Sequence, residues 1–117
     1  MTVVRAAAAW LIVVALTACA SRPPVALARY LEHAEIQAET DAQRATLGRA
    51  FDDMLQLQPE KLRTARYGPN QSTLPALLRA HLVPSEPVAV EDEEFYSQAG
   101  DARVRVAVGT LRQKLRN

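Results

Sequence analysis

From Ala6 to Leu16 the chain runs through eleven consecutive apolar residues, Ala-Ala-Ala-Ala-Trp-Leu-Ile-Val-Val-Ala-Leu, uninterrupted by charge, proline or glycine. A spanning helix needs about 20 such residues, so this run is too short to cross a bilayer alone. Met1 to Arg5 precedes it with one positive charge, and the small pair Thr17-Ala18 comes after it, ahead of Cys19, the only cysteine in the chain. A basic start, an apolar stretch of roughly 7–15 residues and a small-residue site together make a cleavable export signal. Residues 1–18 are therefore expected to be lost, and the folded unit has to be built from residues 19–117.

Leu16-Thr17-Ala18-Cys19 resembles the lipobox of bacterial lipoproteins: an aliphatic residue, two small residues and an invariant cysteine. The resemblance is confined to the leader. It implies that the Cys19 sulfur receives a diacylglycerol, that a peptidase cuts before it, and that the new amine is acylated. A thiolate is the nucleophile a thioether bond requires, and small residues let the cleavage site enter a narrow protease groove. Ala20 rather than Asp after Cys19 implies, by the same resemblance, export to the outer membrane, with the protein facing the periplasm. Acylation also removes a lone thiol that would be reactive in an oxidising compartment. The leader has two other readings: an ordinary cleaved signal that leaves Cys19 free, and an uncleaved N-terminal anchor.

Residues 19–25 hold the lipidated cysteine and a tether stiffened by Pro23-Pro24, since paired prolines favour an extended chain. Residues 26–117 are expected to form a single small domain behind it. The leader takes Arg5 and Trp10 with it, and the remaining Lys and Arg residues match the 13 acids. Balanced charge gives no field to recruit nucleic acid, which export also makes an unsuitable partner.

The pattern predicts an all-α fold, a bundle of four or five helices. Val25 to Gln58 is rich in strong helix formers, with Leu27, Leu31, Ala34 and Ala38 at helical spacing, then Leu47, Phe51, Met54 and Leu55. The stripe fades between Glu35 and Arg44, where Thr40 and Gln43 have capping-box spacing. With no Gly or Pro before Gly48, one long helix is favoured over two. Pro59 to Gly68 reads as a short helix opened by proline and closed by glycine, and Gly68 to Ser72 as a loop. Thr73 should cap a helix through Leu82, and Pro84-Ser85-Glu86-Pro87 should form an extended connector. Glu91 to Glu94 would begin a short helix, where negative charge suits the dipole. Asp101 would cap the last helix, with Val104, Val108, Leu111 and Leu115 as its buried face. Arg103 to Val108 also alternates like a strand, but nothing obvious pairs with it.

Enzyme templates come up empty: there is no Gly-rich phosphate loop, no His-Glu-x-x-His and no Gly-x-Ser-x-Gly. The expectation is a non-catalytic envelope lipoprotein without cofactor or metal, held by acyl chains on Cys19. It would act as a structural or protein-interaction module on another envelope protein. The alternative is a periplasmic carrier of a small ligand or metal near Glu32, His33 and Glu35, although neighbouring helical residues point in different directions. His81, at the end of a Leu-rich helix, suits a carbonyl partner better than catalysis. Arg105, Arg112 and Arg116 form a row beside the Val/Leu stripe and are the candidate interaction residues; the acidic run at Glu91 to Glu94 is a possible partner for them. Such a helix can lie on anionic headgroups, but Arg stems edging a core face give the same pattern. The core reading is preferred because a domain this small can hardly spare four large apolar residues.

Overall fold

The computed structural model describes residues 25–117; the leader, the lipobox and the tether to Pro24 lie outside the described residues. The described chain is mostly helical, with six helices and one two-stranded sheet. In chain order these are α1 (Ala26–Glu32), β1 (Ala34–Ile36), α2 (Asp41–Gln56), α3 (Pro59–Thr64), α4 (Leu74–His81), β2 (Leu82–Pro84), α5 (Asp92–Ser97) and α6 (Ala102–Arg116).

The long helix expected over the first half is two helices with a strand between them, and the domain is not purely α. Glu35 to Glu39 offer no continuous apolar face to bury, and Ala34 and Ile36 flanking Glu35 fit a pleat as well as a helix. What decides is a partner distant in sequence: β1 pairs antiparallel with β2, Glu35 opposite Val83. Gln37 N donates to the His81 carbonyl at 2.8 Å and Ser85 N to that of His33 at 3.3 Å, closing the ladder at both ends. Pairing across that separation overrides helix propensity, which is a weak preference per residue. The Leu-rich helix accordingly stops one residue early, at His81, because Leu82 opens β2.

Local signals hold better. Thr40 caps α2 through the Gln43 amide at 3.1 Å, and the Gln43 side chain accepts back from Thr40 N at 3.2 Å. Thr73 and Asp101 cap α4 and α6, and Glu91 and Glu94 form a second capping box on α5. The segment opened by Pro59 ends sooner than expected, at Thr64. Gly68 closes no helix; its φ of +72° instead turns the chain so that Tyr67 and Ser72 exchange two hydrogen bonds of 2.9 Å. Left-handed backbone at that corner is what glycine permits without steric cost.

The core lies where α6 crosses α1 and α2. Val104, Val108, Leu111 and Leu115 are all buried, against Leu27 and Leu31 of α1 and Leu47 and Phe51 of α2. The Val/Leu stripe of α6 is thus the spine of the domain, as the size argument required. Tyr30 joins the sheet to this core, its hydroxyl donating to the Leu82 carbonyl at 2.9 Å and its ring meeting Phe95 edge-on at 5.9 Å.

Candidate functional site

The arginine row of α6 is largely engaged within the fold. Arg112 Nε and Asp52 Oδ1 of α2 approach to 2.9 Å, both atoms closed off from solvent. They make a charge pair whose geometry falls short of an aligned hydrogen bond. Arg105 Nη2 donates to the Leu55 carbonyl at 3.3 Å. Arg116 is exposed and makes no ion pair among the described residues. At this end Arg44 donates to the Leu115 carbonyl, satisfying the last turn of α6.

The acidic run does not serve that row. Glu93 takes a forked pair from Arg63, with one bond at 2.6 Å. Asp92 pairs with Arg79, whose other amine donates to the Val90 carbonyl at 2.6 Å. The hydrogen bond from Arg63 holds the Glu93 carboxyl below its ordinary range. Arg63 also stacks over Tyr96 at 4.9 Å and Arg79 over Phe95 at 5.0 Å, so α5 is clamped by cations from α3 and α4. The reason is topological: α5 lies beside α3 and α4, while Arg105 and Arg112 face α2.

Glu94 has a separate task. Its Oε2 accepts from the Gln98 side-chain amide at 2.8 Å, and Gln98 Oε1 in turn accepts from Leu27 N at 2.9 Å. Val25 offers no side-chain cap of its own. A free amide of the first turn of α1 is therefore satisfied from the segment leading into α6, an answer to the orphan donors every helix start presents.

Glu32, His33 and Glu35, the alternative carrier site, are dispersed. Glu32 ends α1 and accepts from Arg103 at 2.8 and 3.0 Å. His33 is the exposed cap residue of α1, and Glu35 stands exposed on β1. Among the described residues no three His, Cys, Asp or Glu side chains gather as a metal-binding group. His81 Nδ1 hydrogen-bonds the Gln37 carbonyl at 2.9 Å. Tyr67 is buried and donates to Asp53 Oδ2 at 2.8 Å; burial pushes its hydroxyl well above the ordinary tyrosine range and the Asp53 bond adds to it. Burial likewise raises the hydroxyls of Tyr30 and Tyr96.

The concave surface best suited to recognition lies between α1 and α6, a trough of about 320 Å³. Leu31, Ala107 and Leu111 form its floor, and Val106 stands on its rim at 70 % exposure. The Glu32–Arg103 pair closes one end and Lys114 the other. A mostly apolar lining with a few polar groups at the margin is the usual chemistry of a binding cleft. Sequence reasoning missed this site, although the signal was present. Val106 points away from the Val104/Val108 stripe, and the alternation that suggested a strand was an extra apolar residue on the outer face of a helix.

No family model, no curated protein and no solved structure matches this chain.

Proposed function

We propose that this chain is a lipid-anchored envelope lipoprotein whose helical domain acts as a non-catalytic interaction module at the periplasmic face of the outer membrane. The observation that carries the reading is Leu16-Thr17-Ala18-Cys19 directly behind the apolar run of the leader. Each buried CH₂ contributes about 0.8 kcal/mol, and two or more chains anchor stably where one does not. A Cys19 bearing two or three acyl chains then needs no help from the protein to stay in its leaflet. Residues 20–24 separate the anchor from Val25, and five residues span at most about 18 Å. The domain would be held close to the headgroups, within reach of other proteins of the same membrane.

The trough supports an interaction role by giving the domain an apolar concavity between α1 and α6. A second reading, a carrier of small amphipathic ligands, draws on the same trough. It is the weaker one, because the trough is open along its length while an adjacent bilayer offers an acyl chain complete burial.

Mass spectrometry of the mature protein from its native host tests the proposal. The expected N-terminal species is Cys19 with a diacylglyceryl thioether and an acylated amine, in the outer-membrane fraction, and Cys19→Ser should prevent both modification and sorting. A bare thiol, or a chain still carrying Trp10, would refute it.

A further inference from the structure

Arg44, Gly48 and Asp52 follow one another at i, i+4 spacing on α2, as do Arg112 and Arg116 on α6, so each set forms a row on its helix. Together with Leu115 the two rows line a concavity of about 260 Å³. Gly48 adds no side chain to it; the nearest atom a Cβ there would meet is a Leu115 methyl carbon at 3.5 Å. Three guanidinium groups thus share the cavity with one carboxylate, leaving two positive charges unbalanced among the described residues. That carboxylate is also poorly placed: Asp52 Oδ1 and Arg112 Nε lie 2.9 Å apart, closed off from solvent, without an aligned hydrogen bond. Arg44 spends one amine on the Leu115 carbonyl, and Arg116 makes no ion pair among the described residues. Since a guanidinium carries several N–H donors, the donors far outnumber the acceptors that the cavity supplies.

We propose that this α2–α6 cavity binds the phosphate group of a phosphate monoester. Arg112 and Arg116 hold it from α6 and Arg44 from α2, while Asp52 opposes it. Guanidinium planes pair with carboxylate and phosphate oxygens alike, and charge separates the two. A carboxylate brings one negative charge, whereas a phosphate monoester brings about −1.5 to −2 near pH 7 with three acceptor oxygens, which balances the cavity. A second copy of the chain could offer only carboxylates, and its Asp92, Glu93 and Glu94 are already engaged by Arg79, Arg63 and Gln98. The inference stands on the cavity alone and does not depend on lipidation of Cys19.

The test is an NMR titration of the chain, labelled with nitrogen-15 and purified from its native host in neutral detergent, with inorganic phosphate at about pH 7.5, where the dianion predominates. The expected result is a saturable shift of the backbone amides of Gly48, Arg112 and Arg116, absent when sodium chloride is added to the same ionic strength. Arg116→Gln should weaken the apparent Kd about tenfold, the scale of one charge-assisted hydrogen bond. Asp52→Asn should tighten it several-fold, which a merely structural Asp52 would not do. Lys61→Gln, which removes an exposed charge outside the cavity, should leave it unchanged. Equal shifts with chloride, an affinity indifferent to positions 116 and 52, or an equal loss from Lys61→Gln would overturn the proposal. Reconstitution in phosphatidylcholine nanodiscs identifies the source: if added phosphatidic acid moves the same amides, the monoester is a lipid headgroup, and if only free phosphate moves them, the ligand is soluble. Cys19 acylation enters none of these readouts, so a bare thiol beside a saturable shift condemns the address and spares the cavity, while acylation without a shift does the reverse.

Discussion

On the side of α6 that faces α2, Arg112 meets Asp52 at 2.9 Å and Arg105 reaches the Leu55 carbonyl at 3.3 Å. On the side that faces α1, Val106 stands exposed and Lys114 makes no ion pair among the described residues. One helix of uniform composition thus has a flank tied down by its neighbour and a flank left open. The difference comes from the length of the helix alongside. α2 runs for 16 residues and supplies Asp52 and the Leu55 carbonyl along the crossing, whereas α1 ends after seven and leaves Val106 exposed on the rim of the trough. A charged row read from sequence therefore says little about function until its neighbours are known.

The contrast is open to attack from the tied side first. Phe51→Ala removes a fully buried ring of α2 beside α6 and should destabilise the domain by about 3–5 kcal/mol, read as a lower urea midpoint with an unchanged slope. A smaller effect comes from the far side of α2, where Tyr67→Phe deletes the hydrogen bond to Asp53 and should cost about 1–2 kcal/mol. That variant also carries a pH signature. The raised hydroxyl stabilises the fold fully below the ordinary tyrosine pKa of about 10, and the contribution is lost as pH climbs from there. Urea midpoints between pH 8 and pH 11 should therefore fall more steeply for the native protein than for Tyr67→Phe. Next comes Asp52→Ala, which strands Arg112. Both side chains of that pair are partly exposed, so the loss should stay within about 1 kcal/mol and shrink in 1 M salt. The smallest effect belongs to the open flank: Val106→Ala should move stability by no more than about 0.5 kcal/mol, in the stabilising direction, because Ala is the better helix former. If thermal melts showed Val106→Ala as damaging as Tyr67→Phe, the flank would not be open and the contrast would fail.

Much of the fold is legible where its causes are local. The capping residues Thr40, Thr73 and Asp101, the proline that opens α3 and the buried face of α6 all act within one or two turns of where they stand. The sheet is not legible, because nothing near Ala34 announces that its pairing partner lies close to Pro84. Gly68 has the place of a helix end in the sequence, yet its backbone is needed for the Tyr67–Ser72 corner, a demand set by the burial of Tyr67. The arginine row is visible, but its partners are not the acidic run, since the order of α3, α4 and α5 in space is a tertiary fact. Val106 is visible too, yet an exposed valine stands out only once the helix around it is established.

The amide of Leu27 is held by Gln98, 71 residues further along the chain. Tension delivered at Val25 would thus not simply peel α1 away from its free end. Part of the load would pass across to the segment between α5 and α6, where Glu94 braces Gln98 from the previous turn. A seven-residue helix thus gains mechanical backing from a residue far along the sequence, so the described domain should resist being unravelled by a pull applied at Val25.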